Sequence, residues 1–412
     1  MDLQHQLFTA ALGIYEPTFI SDVNFENNEL HITLDFHRGG EFPCPICGEL
    51  HKVYDTELKT WRHLNFFQFK CYLHFHTPRV NCPTCGKHRY QVPWSRPQSG
   101  FTQLFEAFVL TLAKSGMPIS AIAKIMGEND TRLRRIIDFH VEEAYAKRDL
   151  SKVRKVCVDE TSSKKGHKYI TVFSNPKDKT VLFATPGKDS STFVEFAKEA
   201  KKHGLDAADK ITEVTIDMSE AFQKGAKEQL PKASVTFDRF HVIKLLNEAI
   251  DKVRRIEQNE NKELSKTLKN SRYCWLKNQE NLTNRQIGTL EKLLANEHLK
   301  TAEAYRLKMK FQDIYETCND ITTAKIAINE WILLAEESRI EPIMQFADTV
   351  KTHAKGITRF FKSRLTNGLA EGLNSLIGQV KRAARGYTNM RHFINMIYLI
   401  KGGLILPDYA TV

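Results

Sequence analysis

The chain has 412 residues, of which 42% are hydrophobic and 26% are charged, so it can bury a sizeable core in two or three domains. Lysine and arginine outnumber aspartate and glutamate by 60 to 49, and the net charge of +11 favours a polyanionic partner without proving one. No apolar run approaches ~18 residues, and no N-terminal apolar segment follows a basic stretch. We therefore expect no membrane span and no secretory signal, and a cytoplasmic location.

The first 40 residues predict a short helix followed by a hairpin that turns at Asn27-Asn28. Short strands are expected in residues 41–93, which also contain two Cys-x-x-Cys pairs. In a reducing compartment this pattern indicates a metal rather than disulfides, and each pair can place two thiolates on one tetrahedral zinc. The expected structural zinc ligands are Cys44, Cys47, Cys82 and Cys85. The alternative is four free cysteines in a small core.

Between the cysteine pairs, residues 61–75 are aromatic and basic. Such a stretch can contact nucleic acid, or it can pack around the metal site, and the sequence alone favours neither. After the second pair, residues 92–97 have the composition of a linker. We therefore expect a separate domain to begin near residue 96.

Residues 96–150 predict three helices, the second ending at Gly127 and the third beginning at Asp130 as its N-cap. The spacing fits a helix-turn-helix with 130–143 as the recognition helix, although a plain three-helix packing unit is the alternative. Glu128 and Asp130 would repel phosphate, which argues against DNA contact. The side chains expected to meet DNA are Thr131, Arg132, Arg134 and Arg135.

From residue 151 the hydrophobic period changes from helical to strand-like. Through residues 151–240 the candidate elements follow the order β-β-β-α-β-α-β, which predicts a mixed sheet flanked by helices. Residues 241–350 are charged and almost wholly helical. Two tryptophans in this helical segment, Trp275 and Trp331, could stack on an unpaired base, but core packing is the favoured interpretation.

Three acidic residues carry the most information about function. Asp159 and Asp217 each end an apolar strand, and Glu371 lies at the start of a helix 154 positions after Asp217. A carboxylate at the end of a buried strand is costly unless it is paired or binds a metal, so three that converge predict a divalent-metal site for phosphoryl transfer. Taken singly, each is more often a solvated or capping residue. The polar face of the Glu371 helix ends in cations suited to DNA phosphates, namely Lys381, Arg382 and Arg385.

Besides the cysteine pairs and the three helices, several short motifs follow one another along nearly the whole chain. They are Val158-Asp159-Glu160-Thr161, Gly166-His167-Lys168-Tyr169, Ile216-Asp217-Met218, Asp238-Arg239-Phe240-His241 and Ala370-Glu371-Gly372-Leu373-Asn374. In this order and spacing the chain resembles the bacterial insertion-sequence transposases of the ISL-three group. Asn175 and Lys188 depart from that pattern, and neither is a triad position.

The resemblance implies a multidomain α/β protein. It implies an N-terminal zinc-binding domain and a helix-turn-helix domain ahead of a ribonuclease-H-like catalytic domain, which a helical insertion interrupts. The expected bounds are 1–95 for the zinc-binding domain, 96–150 for the helix-turn-helix, 151–240 with 351–412 for the catalytic domain, and 241–350 for the insertion. Carried over by motif, Asp159, Asp217 and Glu371 are a DDE triad that binds Mg²⁺ or Mn²⁺, and Asp238 and His241 are supports of the active site.

The function implied is that of a DNA transposase. Such an enzyme binds the double-stranded terminal inverted repeats of an insertion sequence, cuts at the element ends and joins the freed 3′ hydroxyl to target DNA. A homodimer on DNA is expected because two ends are joined, and no membrane partner is expected. The alternatives are a DNA-binding regulator without catalysis, against which the intact triad argues, and a ribonuclease-H-like nuclease or resolvase.

Overall fold

The computed structural model describes residues 3–164, 168–260, 265–266, 268–296, 298–365 and 368–408. Within these ranges the side chains of residues 3–5, 7, 11, 164 and 369–371 are not described. The chain forms two compact units, one of Met1–Lys147 with Gln379–Val412 and the other of Arg148–Gly378. The expected domains divide the chain differently, because they separate 1–95 from 96–150 and assign 351–412 to the catalytic domain.

The first unit begins with helix α1 and a six-stranded sheet in the order β1-β2-β5-β4-β3, with β6 paired to β5. Strands β2 and β5 are parallel, and the other pairs are antiparallel. The bounds are α1 Leu3–Leu12, β1 Thr18–Glu26, β2 Glu29–Phe36, β3 Glu41–Pro43, β4 Leu50–Phe66, β5 Phe69–Cys82 and β6 Gly86–Arg89. The hairpin turn at Asn27-Asn28 is confirmed, with both residues at positive φ.

The expectation of short strands in 41–93 is wrong for β4 and β5, which have 17 and 14 residues. The reason is that the first two thirds of β4 have no buried side chain, so the apolar alternation that marks a long strand is missing there. The core of this sheet instead comes from its other strands and from the end of β4. It includes Ile32, Trp61, Leu73 and Phe75.

The supposed linker 92–97 is packed rather than free. The Ser95 hydroxyl donates to the Phe101 carbonyl over 2.9 Å, and the Gln103 amide donates to the Trp94 carbonyl over 2.8 Å. Linker-like composition misled the prediction because Pro and Ser also suit a tight, internally bonded turn.

Three helices follow in the same unit: α2 Gln103–Lys114, α3 Ile119–Met126 and α4 Asp130–Ala146. Gly127, at φ +64, ends α3 as predicted. The N-cap of α4 is Asn129 rather than Asp130, because the Asn129 side chain accepts a hydrogen bond from the Thr131 amide and the helix already includes Asp130. The helix extends to residue 146, beyond the expected end at 143.

The C-terminal helix α15, Met390–Lys401, also belongs to the first unit and packs on α4. Asp138 of α4 accepts hydrogen bonds from His392 Nδ1 over 2.8 Å and from Asn395 Nδ2 over 2.9 Å. The rings of Tyr145 and Tyr398 lie 4.5 Å apart in the same contact. These interactions join residues more than 250 positions apart, which is why local sequence patterns did not reveal them.

The second unit contains a five-stranded sheet in the order β11-β10-β7-β8-β9. Strands β11, β10 and β7 run parallel, whereas β7, β8 and β9 form an antiparallel meander. The predicted order β-β-β-α-β-α-β is confirmed, with one short extra helix, α6. The bounds are β7 Lys155–Lys164, β8 Lys168–Asn175, β9 Thr180–Pro186, α5 Ser191–Lys202, α6 Ala207–Lys210, β10 Glu213–Ile216, α7 Glu220–Gln229 and β11 Ser234–Phe237.

A long helical segment follows β11 directly. Its described elements are α8 Arg239–Glu260, α9 Arg272–Leu276, a 3₁₀ turn Gln279–Asn281, α10 Asn284–Leu294, α11 Lys300–Thr317, α12 Ile321–Glu337, α13 Glu341–Ser363 and α14 Gly368–Ala383. Helix α13 returns to the sheet, where Gly356 lies so close to β11 that a Cβ there would stand 2.4 Å from the Phe237 ring. No helix in the described part of the chain is long and apolar enough to cross a membrane.

Both tryptophans of the helical segment are buried. The Trp275 indole donates to the Ser271 hydroxyl over 2.9 Å, and the Trp331 indole donates to the Leu307 carbonyl over 2.8 Å. Core packing, the favoured interpretation, is confirmed, since neither ring presents a face on which a base could stack.

Candidate active site and DNA-binding elements

Three aspartates lie at one level across the three parallel strands. In the strand register Thr215 of β10 pairs with Cys157 of β7 and with Thr236 of β11, so the positions two residues further on are Asp159, Asp217 and Asp238. Neighbouring strands are ~4.8 Å apart, and side chains two residues apart share a sheet face. The strand register therefore brings three carboxylates to one edge of the sheet.

The sequence predicts that Asp159 ends its strand, but in the structure the strand continues past it. Strand β7 continues to Lys164 alongside β8, and only the pairing with β10 stops before Asp159. The position still lies at the carboxyl ends of the parallel strands, because Asp217 and Asp238 directly follow β10 and β11. The edge of the parallel part of the sheet, rather than the end of a strand, is what exposes Asp159 to its partners.

The Asp159 carboxylate is 8% exposed and accepts two hydrogen bonds. The Glu160 amide donates to Oδ1 over 2.9 Å, and Asn374 Nδ2 of α14 donates to Oδ2 over 2.7 Å. Burial raises the pKa of Asp159 to about 6, although the attraction of His241 and the two hydrogen bonds oppose this rise. A carboxylate in this state gains from a nearby cation, because the cation would compensate for the lost hydration.

Asp238 and His241 form a pair next to Asp159. Asp238 is 2% exposed, and His241 Nδ1 lies 3.0 Å from its Oδ2, so an Nδ1–H donates to the carboxylate. Burial alone would lower the pKa of His241, but the hydrogen bond to Asp238 and the attraction of Asp159 and Asp217 outweigh burial and raise it. All three aspartates therefore act electrostatically on the same imidazole, and Asp238 also bonds to it directly.

Asp217 is half-buried, and its Oδ1 accepts a hydrogen bond from the Ser219 amide over 3.0 Å. Glu160, the neighbour of Asp159 in the chain, borders the same region. Burial raises the pKa of Glu160, and the attraction of Lys188 and Lys244 opposes the rise. The site therefore has more acidic than basic groups close to its centre, which suits a bound metal ion.

Glu371 lies on the first turns of α14, and its side chain is outside the described residues. Its backbone position is informative because Asn374, one turn further along the same helix, contacts Asp159 across 215 positions. Residues three apart on a helix are neighbours on its surface. The helix that carries Glu371 therefore reaches the acidic edge at Asn374. The opposite helix face is buried through Leu373, Ile377 and Val380.

Sequence reasoning missed the role of Asn374. Its signal was present, because Asn374 stands three residues after Glu371 in a motif that had already been singled out. Gly166 and His167, the first half of the motif Gly166-His167-Lys168-Tyr169, lie outside the described residues.

The four predicted cysteines come together in the first unit. Their sulfur atoms all lie within 4.8 Å of one another. The first pair is closed by a turn in which the Gly48 amide donates to the Cys44 carbonyl over 2.9 Å, with Gly48 at φ +79. A tetrathiolate of this kind suits zinc in a structural role. Glu49 and His51, which sequence reasoning did not consider, also lie within 4.8 Å of Cys47 and Cys82.

Cys71 and His63, which lie between the two cysteine pairs in the chain, have other surroundings. Cys71 is buried in the sheet core, and His63 Nδ1 lies 2.9 Å from the Thr102 hydroxyl. Cys157, Cys274 and Cys318 are buried thiols.

The four recognition-helix candidates differ in their surroundings. Arg132 donates to Glu128 over 2.6 Å and lies over the Phe101 ring, and Arg134 donates to Asp130 over 2.8 Å. The acidic residues that argued against DNA contact therefore pair with arginines of the same helix end. Thr131 and Arg135 are exposed, and Arg135 forms no ion pair with any described residue.

Two of the three cations after Glu371, Lys381 and Arg382, lie in the last turn of α14, and Arg385 follows just after the helix. Lys381 is half-buried and engaged with a neighbour, whereas Arg382 and Arg385 are exposed. Arg385 has φ +54 and precedes Gly386 at φ +97, which ends the helix. Two of the three side chains are thus accessible to a phosphate backbone.

Comparison with known proteins matches each of these parts. Residues 41–85 match a zinc-finger of transposases IS204, IS1001, IS1096 and IS1165, and residues 91–141 match the helix-turn-helix domain of transposase family ISL3. Residues 156–397 match the transposase domain of the same family. A zinc ribbon, a helix-turn-helix and an acidic α/β site in one chain define a DNA transposase. The chain belongs to the ISL3 family of transposases.

Two relatives extend this similarity over most of the chain. The transposase for insertion sequence element IS1557 of Mycobacterium tuberculosis is 28% identical, over 97% of this chain and 96% of its own length. The transposase for insertion sequence element IS1001 of Bordetella parapertussis is 29% identical, over 85% of this chain and 86% of its own. The similarity to the IS1557 transposase therefore covers the zinc-finger, the helix-turn-helix and the acidic site together.

Proposed function

We propose that Asp159, Asp217 and Glu371 are the DDE triad of this transposase, on a catalytic domain of the ribonuclease-H-like type. The hydrogen bond from Asn374 to Asp159 carries this proposal, because it holds the Glu371 helix at the edge where the aspartates lie. The parallel order β11-β10-β7 continued by the antiparallel β8-β9 supports the fold assignment.

The triad suits two Mg²⁺ or Mn²⁺ ions, for which carboxylate oxygens are the preferred ligands. The desolvated Asp159 and the excess of acidic groups around it support this assignment. Such ions, when bound, lower the pKa of a bound water and stabilise the leaving 3′ oxygen. Asn374 orients one carboxylate oxygen of Asp159, and the hydrogen bond to Asp238 holds the His241 imidazole in a fixed position beside the carboxylates.

The DNA substrates would be the element ends and a target duplex. The zinc ribbon and the helix-turn-helix would read the terminal inverted repeats, with Thr131 and Arg135 as the most accessible side chains of the recognition helix. The exposed Arg382 and Arg385 would hold phosphates, with an affinity that falls as salt rises. Two chains would act as a homodimer, because two element ends must be joined.

The test is cleavage by the purified full-length protein of a duplex that carries an element end, in Mg²⁺. Asp159→Asn removes one metal-binding charge and should lower the cleavage rate about 1,000-fold, the equivalent of roughly 4 kcal/mol of barrier. Binding to the same duplex, measured by mobility shift, should not change. The matched control is Glu220→Gln, an exposed carboxylate three residues from Asp217, which should cleave normally. Normal cleavage by Asp159→Asn would disprove the triad assignment.

A further inference from the structure

The turn of the β4–β5 hairpin has an unusual residue at its tip. Phe66 pairs with Phe69, so the turn consists of Phe67 and Gln68. Phe67 is 79% exposed and has φ +54, a conformation that favours glycine or asparagine. The β1–β2 turn of the same sheet uses Asn27 and Asn28 at positive φ. A bulky apolar ring at the tip is therefore not what the turn itself requires.

The tip belongs to a small exposed aromatic group, hereafter the hairpin tip, made of Phe25, Phe66, Phe67 and Phe69. The Phe66 and Phe67 rings lie 4.7 Å apart, and the Phe25 ring packs edge-on against Phe69 at 4.7 Å. Phe25, Phe66 and Phe67 are all at least 41% exposed. The Phe66 ring thus contacts Phe67 on one side, and most of the Phe67 surface stays in water.

The same hairpin is anchored to the helix-turn-helix. The buried Arg62 of β4 donates through Nη2 to the Met126 carbonyl at the end of α3 over 3.0 Å, and its Nε lies 3.6 Å from Glu128 in the turn before α4. Asn65, two residues before Phe67, donates to the Ile125 carbonyl over 3.4 Å. The hairpin therefore holds a fixed position beside the turn that joins α3 to the recognition helix.

A lysine of β5 reaches the same turn. The side chain of Lys70 lies across Gly127, where a Cβ would stand 2.9 Å from Lys70 Cε. Lys124 of α3 is exposed one turn earlier. Lys70 at the turn and Lys124 on α3 thus place two cations near the hairpin, where they are suited to phosphates.

We propose that the hairpin tip is a second DNA-reading element of this protein, and that Phe67 enters the minor groove beside the major groove occupied by α4. A recognition helix inserts its N-terminal residues into the major groove, which brings the preceding turn close to the DNA backbone. An element fixed to that turn then reaches the adjacent groove, where apolar side chains wedge against or between base pairs. The inference rests on DNA binding by the helix-turn-helix, and it explains why an aromatic residue occupies a position suited to asparagine.

The deciding variant is Phe67→Asn in the full-length protein. Asparagine accepts the positive φ, so the melting temperature should not fall, whereas loss of the ring should weaken binding to an element-end duplex about tenfold. The matched control is Leu58→Ala, which removes a side chain 56% exposed on the same strand away from the tip and should leave the affinity unchanged. Phe67→Tyr keeps a ring and should retain most of the affinity.

Methylation by dimethyl sulfate locates the contact. The wild-type protein should protect guanine N7 in the major groove read by α4 and adenine N3 in the neighbouring minor groove. Phe67→Asn should lose only the adenine protection, and Arg135→Ala should weaken the guanine protection. If neither the wild type nor any variant binds the duplex, the proposal that the helix-turn-helix binds DNA is wrong, and the hairpin-tip proposal is wrong with it.

Three results would overturn the hairpin-tip proposal alone. One is an unchanged affinity and adenine protection for Phe67→Asn while Arg135→Ala loses binding. Another is a lower melting temperature for Phe67→Asn, which would make the ring a folding element. The third is a change in self-association by light scattering without a change in DNA affinity, which would assign the tip to a second copy of the chain.

Discussion

The cysteine cluster and the acidic edge both assemble metal-binding side chains, but they do so in different ways. The four sulfur atoms lie within 4.8 Å of one another, and each half of the cluster comes from a turn of four residues. Among the described residues no group of three carboxylates comes as close, and the Glu371 side chain is outside that description. The cysteine cluster is built from two local turns and is complete within residues 41–85. The acidic edge depends instead on strand register and on a helix that returns from far along the chain.

The largest effect expected from this difference concerns zinc. Because the cluster closes the fold of its own unit, loss of the metal should cost on the order of 10 kcal/mol and unfold the zinc ribbon. Metal analysis of the full-length protein should find about one zinc per chain, and Cys85→Ala should lose it together with the melting transition of the unit. Cys71→Ala, outside the cluster, should keep the zinc. A metal-free protein with an unchanged melting temperature would contradict this assignment.

The junction between the zinc ribbon and the helix-turn-helix should be the next most sensitive place. Arg62→Leu leaves Glu128, 7% exposed, without one of its two arginine partners and removes the bond to Met126. We expect a loss of roughly 3 kcal/mol of unfolding free energy, measured by denaturant titration. The control is Arg89→Leu, whose pair with Glu57 is exposed and should contribute at most about 1 kcal/mol. Equal effects would mean that the two parts fold independently.

The acidic edge is probed by its long-range contact. Asn374→Ala removes the hydrogen bond that orients Asp159, so cleavage should slow about 10- to 100-fold while DNA binding persists. Ser375→Ala changes an exposed neighbour on the same helix and should cleave like the wild type. Normal cleavage by Asn374→Ala would show that α14 is positioned by its apolar face alone.

The smallest effect should come from the contact of α15 with α4. Burial alone would raise the pKa of Asp138, but the hydrogen bonds from His392 and Asn395 outweigh it and lower the pKa. A lowered native pKa stabilises the fold above the ordinary carboxyl pKa, and this stabilisation is lost as the pH falls through the native value. Asp138→Asn should therefore cost about 1 kcal/mol at neutral pH, and the difference from wild type should shrink in acid. A difference independent of pH would mean that the charge of Asp138 does not matter.

Much of the fold was predictable because local pattern carries it. The β1–β2 turn, the end of α3 at Gly127 and the strand–helix order of the second unit are confirmed. Each depends on residues within a few positions of one another, such as alternating apolar side chains or a glycine at positive φ. The zinc ligands were predictable for the same reason, since their spacing within each pair is local.

Other features could not be predicted from local pattern. The first two thirds of β4 have no buried side chain and so lack the alternation that marks a long strand, and the packed segment 92–97 resembles a linker in composition. Asp238 was seen only as a support, yet the register places it level with Asp159 and Asp217. The roles of Asp159, Asp217, Glu371, Asp238 and His241 stay predictions until the cleavage experiment is done.

The amino-acid sequence by itself determined which chemistry is available: four thiolates in two Cys-x-x-Cys pairs, acidic residues beside buried strands, and a helix-turn-helix of suitable length. Only the tertiary structure decided which of these residues meet. Asn374 reaches Asp159 across 215 positions, and Asp138 meets His392 across 254. Such contacts are selected by the packing of whole elements, because no local periodicity encodes which distant face will cover a given strand or helix. That is why the acidic edge, unlike the cysteine cluster, is assembled only by the complete fold.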